Sequence, residues 1–131
     1  MEIDFRKKRY VLDGGMGTML QSAGMSPEET TTEFGLAHPE ILTEIHQKYM
    51  EAGSDIVYAS TFGTNRFKKK EMGDHSLEEA VRIQVEAAVT AKENMAAKGR
   101  EVAVALDLGP LGELLEPMGT LSFEDAYDAF R

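Results

Sequence analysis

The 131-residue chain is 42% hydrophobic and 28% charged, which is apolar material for one core but small for a large enzyme domain. Its 23 acidic side chains against 14 basic ones leave a net charge of -9, which opposes non-specific nucleic-acid binding and favours solubility. Cysteine is absent, so disulfides, thiol nucleophiles and thiolate metal sites are excluded within these residues, and no apolar window approaches a membrane span.

The amino-terminal MEIDFRKKRY carries charges where a signal peptide needs an apolar core, which predicts a cytoplasmic protein. Tyr10-Val11-Leu12 reads as a short strand, and Asp13-Gly14-Gly15-Met16-Gly17-Thr18 follows at its carboxyl end. Glycine lacks a Cβ, so it allows positive φ and lets a ligand approach bare backbone N–H groups. Asp13 could then hold an ammonium group while the glycine amides hold a carboxylate or phosphate. The alternative is a tight strand-to-helix turn with Asp13 as a local cap. Met16 to Met25 suits a short helix, and Ser26-Pro27-Glu28-Glu29 with the following threonines reads as a polar loop.

A helix is predicted from Pro39, with Ile41, Leu42, Ile45, Tyr49 and Ala52 at three- and four-residue steps and Gly53 as its stop. Ile56-Val57-Tyr58-Ala59-Ser60-Thr61 is a nearly continuous apolar strand of the kind buried on both faces. Ser76 and Glu79 form a capping box before a second helix whose apolar stripe is Leu77, Val81, Val85, Ala88, Ala91 and Met95, ended by Gly99. Val102 to Leu106 is a third strand. Gly109-Pro110 and Gly112 break the chain, and Ser122 with Asp125 opens an amphipathic helix carrying Phe123, Ala126, Tyr127 and Phe130.

The order βαβαβα implies parallel strands joined by right-handed crossovers. Three such strands expose two edges of buried-type strand, and an eight-unit barrel needs about 250 residues. The expected fold is therefore α/β, the first three βα units of a TIM-type (β/α)8 barrel that is incomplete in this chain, with residues 1–131 as one incomplete domain. A doubly wound sheet is the rival.

The strand ends at Asp13, at Ser60 to Asn65 and at Asp107 to Glu113 would share one barrel face, where active sites are built. His46 reads as a structural histidine, His38 as an N-cap and His75 as a loop residue. Lys68-Lys69-Lys70 reads as a solvated helix face rather than an anion-steering patch, and most of the methionines as core filler. Gly15-x-Gly17 begins a dinucleotide fingerprint, with Glu33 near the distance of a ribose-binding acid, but Leu20 stands where the third glycine belongs. A P-loop is excluded because no Gly-Lys-Ser/Thr follows the glycines.

Four motifs together resemble the homocysteine methyltransferase family. They are Leu12-Asp13-Gly14-Gly15-Met16-Gly17-Thr18-Met19-Leu20-Gln21; His38-Pro39-Glu40 leading to Ile45-His46 and Tyr49-x-x-Ala52-Gly53-x-Asp55-Ile56; Ser60-Thr61-Phe62-Gly63; and Gly109-Pro110-x-Gly112. The resemblance runs from Tyr10 to Arg131. The first motif and Thr61-Phe62-Gly63-Thr64-Asn65-Arg66 resemble most the homocysteine-binding barrel of the cobalamin-dependent methionine synthases; other branches take the methyl group from betaine or S-methylmethionine.

The resemblance implies methylation of homocysteine to methionine, with the methyl group drawn from 5-methyltetrahydrofolate through cobalamin. It implies a zinc ion on three cysteine thiolates, which deprotonates the substrate thiol. Those ligands are expected beyond Arg131, so the resemblance implies no metal ligand and no catalytic residue within the chain, and the chain alone is expected to be inactive. Asp13 would bind the α-ammonium of homocysteine, the amides of Gly14, Gly15 and Met16 its carboxylate, and Thr61, Phe62 and Asn65 would form the second wall. The loop Gly109 to Gly112 would shape the mouth. Expected partners are homocysteine and a methyl-donor domain or cofactor, with no nucleic acid and no membrane, and the open strand edges predict self-association. A non-catalytic α/β ligand-binding module and an unrelated phosphate-ligand enzyme are the other readings.

Overall fold

A computed structural model describes all 131 residues. The elements, in chain order, are helices α1 (Met16–Ser22), α2 (Thr31–Ala37) and α3 (Pro39–Ala52), strand β1 (Ile56–Tyr58), a 3-10 helix (Arg66–Met72), helix α4 (Leu77–Ala97), strand β2 (Ala103–Ala105) and helix α5 (Phe123–Phe130). No helix is long and apolar enough to cross a membrane.

The two strands pair in parallel, with Ile56 opposite Ala103 and Tyr58 opposite Ala105. The first predicted strand is reduced to a single parallel bridge, Leu12 to Ile56. Around it the Val11 carbonyl accepts the N–H groups of Asp55 and Ile56, and the Asp13 N–H donates to the Ile56 carbonyl. Pairing stops there because the chain turns into α1 at Gly15, whose φ and ψ are -62° and 132°. The lateral order is thus the Leu12 segment, β1, then β2, with neighbours in chain order.

Local signals explain the helices. Pro39 occupies the start of α3, and Gly53 ends it at a φ of 124° that other residues rarely adopt. Ser76 and Glu79 make the predicted reciprocal cap of α4. The same device at Thr30 and Glu33 starts α2, so the predicted polar loop ends at Thr30 and gives way to a helix. Lys69 and Lys70 lie exposed on the 3-10 helix.

Helices α3 and α4 pack side by side on one face of the sheet. Met50, Val57, Ala91, Met95 and Val102 form the core between helices and strands, and Leu20, Met25, Phe34, Leu42, Ile45 and Ala87 form a second cluster among the helices. The buried face of α4 differs from its predicted stripe. Ala80, Gln84 and Ala87 point inward with Ala88, Ala91 and Met95, while Leu77, Val81 and Val85 are only half-buried. Small side chains let α3 approach closely, and Thr43 of α3 donates to the Ala87 carbonyl across the contact.

His46 is fully buried with neither ring nitrogen hydrogen-bonded, and burial lowers its pKa to about 4. His38 stands at the N-cap position of α3 without capping it; its Nδ1 lies 3.3 Å from Glu40, and its ring packs on Phe34. In α5 only Ala126 is buried, leaving Phe123, Tyr127 and Phe130 exposed.

Candidate functional site

A cleft of about 300 Å³ opens at the carboxyl ends of the parallel segments. Asp13, Gly14, Gly15, Met16 and Gly17 form one wall, and Tyr58, Ala59, Ser60 and Phe62 from the end of β1 form the other. Thr31 at the start of α2 and Asp107 just past β2 complete the lining.

Asp13 is held by the sheet: its Oδ2 accepts the Tyr58 N–H at 3.1 Å. Partial burial raises its pKa; the N–H groups of Tyr58 and of Asp13 itself oppose that, and the Asp107 carboxylate adds to the rise by repulsion. Neither Asp13 nor Asp107 forms an ion pair. Two carboxylates therefore face one cleft without a protein cation, which favours a positively charged ligand group beside the glycine backbone.

None of Gly14, Gly15 and Gly17 has a positive φ. The predicted conformational reason for these glycines is thus replaced by a steric one at Gly14. A Cβ there would lie 3.0 Å from the Tyr49 hydroxyl and 3.1 Å from Cε1 of the same ring. Bare backbone lets α3 set a tyrosine against the turn without displacing its ring.

Five of the seven residues expected to contact substrate, Asp13, Gly14, Gly15, Met16 and Phe62, come together in the cleft. Thr61 and Asn65 do not line it. The buried Thr61 hydroxyl donates to the Asp107 carbonyl at 2.8 Å and accepts the Asp107 N–H at 3.1 Å, so it ties the two strand ends together. Asn65 caps the 3-10 helix by accepting the Phe67 N–H and donates to the Pro110 carbonyl. Both side chains are turned to loop construction because their backbone neighbours leave polar groups that no strand pairs.

Besides Gly17, Thr31 and Ala59, the lining residues outside the expected substrate contacts are Tyr58, Ser60 and Asp107, of which Ser60 and Asp107 are expected from the sequence at strand ends on this face. Their signal was alternation: with β1 and β2 in register, Tyr58 and Ala105 share a face, and two residues on Ser60 and Asp107 follow. Gly109, in the rim loop, packs where a Cβ would overlap Phe62, so that loop supports the aromatic wall.

The residues present do not fit a zinc site. There is no cysteine, and no group of three His, Asp or Glu side chains is placed to hold a metal ion.

Known proteins are similar to this chain in sequence and in fold. Over 76 residues the chain is 34% identical to a methionine synthase from Mycobacterium leprae, a match that covers 53% of this chain and 6% of that protein. A methionine synthase from Mycobacterium tuberculosis is 32% identical over 87 residues, 61% of this chain and 7% of the relative. The chain therefore spans a small part of these proteins' length. The fold matches the homocysteine methyltransferase MmuM from Escherichia coli in its oxidized form, with a TM-score of 0.71 and 24% identity over 82% of this chain and 40% of that one. The metallated form of that enzyme gives a TM-score of 0.67 at 23% identity, with the same coverage. The sheet and helices are thus those of part of a homocysteine methyltransferase barrel structure. Residues 10–131, nearly the whole chain, match the Homocysteine S-methyltransferase family, and the chain belongs to that family.

Proposed function

We propose that the cleft binds homocysteine by its amino-acid end, and that residues 1–131 are the first three βα units of a barrel domain that methylates the substrate thiol to give methionine. The observation that carries this reading is the pairing of Asp13, anchored on the Tyr58 N–H, with the adjacent glycine backbone in one cleft that lacks a protein cation. Asp13 takes the α-ammonium, with Asp107 adding negative potential. The amides of Gly14, Gly15 and Met16 take the carboxylate, and Phe62 flanks the side chain. Thr61 and Asn65 act at one remove, by holding the loops that carry Phe62 and Asp107.

The thiol must be activated by groups outside these residues, and the chain alone does not transfer a methyl group. The donor in this reading is 5-methyltetrahydrofolate through cobalamin, in the cytoplasm. Similarity to two methionine synthases supports it. Betaine or S-methylmethionine as donor is the second reading, and the family match does not distinguish it from the first.

Calorimetric titration of homocysteine into the chain tests the site. Asp13→Asn keeps the shape and removes the charge, so affinity should fall by at least tenfold, since a charge-assisted bond contributes about 1.5–3 kcal/mol. Because burial raises the Asp13 pKa, the neutral variant should unfold no earlier than the parent. Lys69→Ala, on an exposed position, should bind as the parent does. Equal affinities for Asp13→Asn and Lys69→Ala, or no binding by the parent, would overturn the reading.

A further inference from the structure

Tyr49 lies in the last turn of α3, thirty-four residues from the glycine turn in sequence, yet its hydroxyl donates to the Gly15 carbonyl at 2.8 Å. Its ring packs against both core clusters, so the phenol is set by the body of the fold rather than by the loop it meets. On the glycine side the fit is tight: a Cβ at Gly14 would stand 3.0, 3.1 and 3.4 Å from Tyr49 Oη, Cε1 and Cζ. Those separations are at or below ordinary carbon contact, so the ring and the bare backbone are packed on each other.

The turn itself has little local support. The last sheet bond before it is the Asp13 N–H to the Ile56 carbonyl, and Gly15, as N-cap of α1, supplies no side chain to close the first turn. Two adjacent glycines also carry the largest backbone entropy to be lost on ordering. A single hydrogen bond from a rigid tyrosine, combined with its ring against Gly14, fixes the orientation of the peptide units between Asp13 and Met16.

We propose that Tyr49 is a positioning residue for the ligand cleft, clamping the Gly14–Gly15 segment so that its N–H groups and the Asp13 carboxylate face the same ligand. The inference deepens the homocysteine reading and rests on it for the ligand, while the clamp itself is a property of the free protein. An ordinary core tyrosine would affect stability alone; a positioning tyrosine separates affinity from stability.

The test uses Tyr49→Phe, which keeps the ring against Gly14 and both cores and removes only the hydroxyl. Backbone amide exchange is followed in the ligand-free protein, and homocysteine affinity by calorimetry. Exchange at residues 14–17 should rise, homocysteine affinity should fall about 3- to 10-fold, as loss of one neutral hydrogen bond predicts, and amides elsewhere in α3 should be unaffected. Gly14→Ala, which pushes the ring away, should weaken binding by the same route, so the double variant should be little worse than the poorer single one.

Unchanged exchange with unchanged affinity would make Tyr49 a packing residue and overturn the inference. Faster exchange with parental affinity would overturn it too, because the clamp would then not serve the ligand. A fall in affinity without faster exchange would make the phenol a direct ligand contact, again against positioning. Faster exchange in a protein whose parent binds no homocysteine would instead leave the clamp and remove the homocysteine reading.

Discussion

The two faces of the short sheet are built from similar residues and meet opposite surroundings. Toward α3 and α4, Val57 and Val102 are at most 1% exposed and join Met50, Ala91 and Met95 in one core. On the other face Ile56 is buried, but Leu12 is 46% and Tyr58 38% exposed, with Ala103 and Ala105 half-buried. Apolar character in a strand therefore marks what can be buried, while the elements laid across it decide what is buried. The open face also leads at its carboxyl end to Tyr58, Ser60 and Asp107 in the cleft, so the less covered side of the sheet is the one that carries the candidate chemistry.

The helix-covered face should break first and hardest. Met50→Ala removes a fully buried side chain from between α3 and the strands, and should lower the unfolding free energy by roughly 2–5 kcal/mol in a urea titration. A loss below about 1 kcal/mol would mean that this face is packed no better than the open one.

The next effect comes from His46 within the helix layer. Its folded pKa of about 4 lies below the ordinary 6.5, so the folded state resists the proton that the unfolded chain accepts. Stability from this source is complete above pH 6.5 and is lost as pH falls from 6.5 to 4, by about 3 kcal/mol in total. His46→Leu should flatten that part of the pH dependence of unfolding. A parental slope retained in the variant would assign the acid sensitivity to other groups.

The open face should respond least in stability and most in assembly. Leu12→Ala, and Phe123→Ala on the uncovered side of α5, should each change the unfolding free energy by less than about 1 kcal/mol. Both should weaken concentration-dependent self-association in sedimentation runs, because exposed apolar surface, which at Leu12 lies on an unpaired strand edge, is what drives it. A parent that stays monomeric across the concentration range, or a large loss of stability in either variant, would erase the distinction between the faces.

What could be read without coordinates was local or motif-borne. Pro39 and Gly53 bound α3, and Ser76 with Glu79 starts α4, since caps and glycine stops act within a few residues of chain. Thr30 and Glu33 carried the same capping signature as Ser76 and Glu79, and α2 was missed because the threonine run around them was weighted as loop composition. The Asp13 glycine segment announced itself by composition and resemblance alike.

The amino-acid sequence by itself determined the parallel β1 and β2 with their crossover helix α4, the ends of α3 and α4, the family resemblance and the carboxylate-glycine turn. Only the tertiary structure decided which side of α4 is buried, that Thr61 and Asn65 brace loops while Tyr58, Ser60 and Asp107 enter the cleft, and that Tyr49 reaches the turn. Caps and turns depend on neighbours a few residues apart, whereas cleft membership depends on strand register and on which helix lies against which glycine, contacts between residues tens of positions apart.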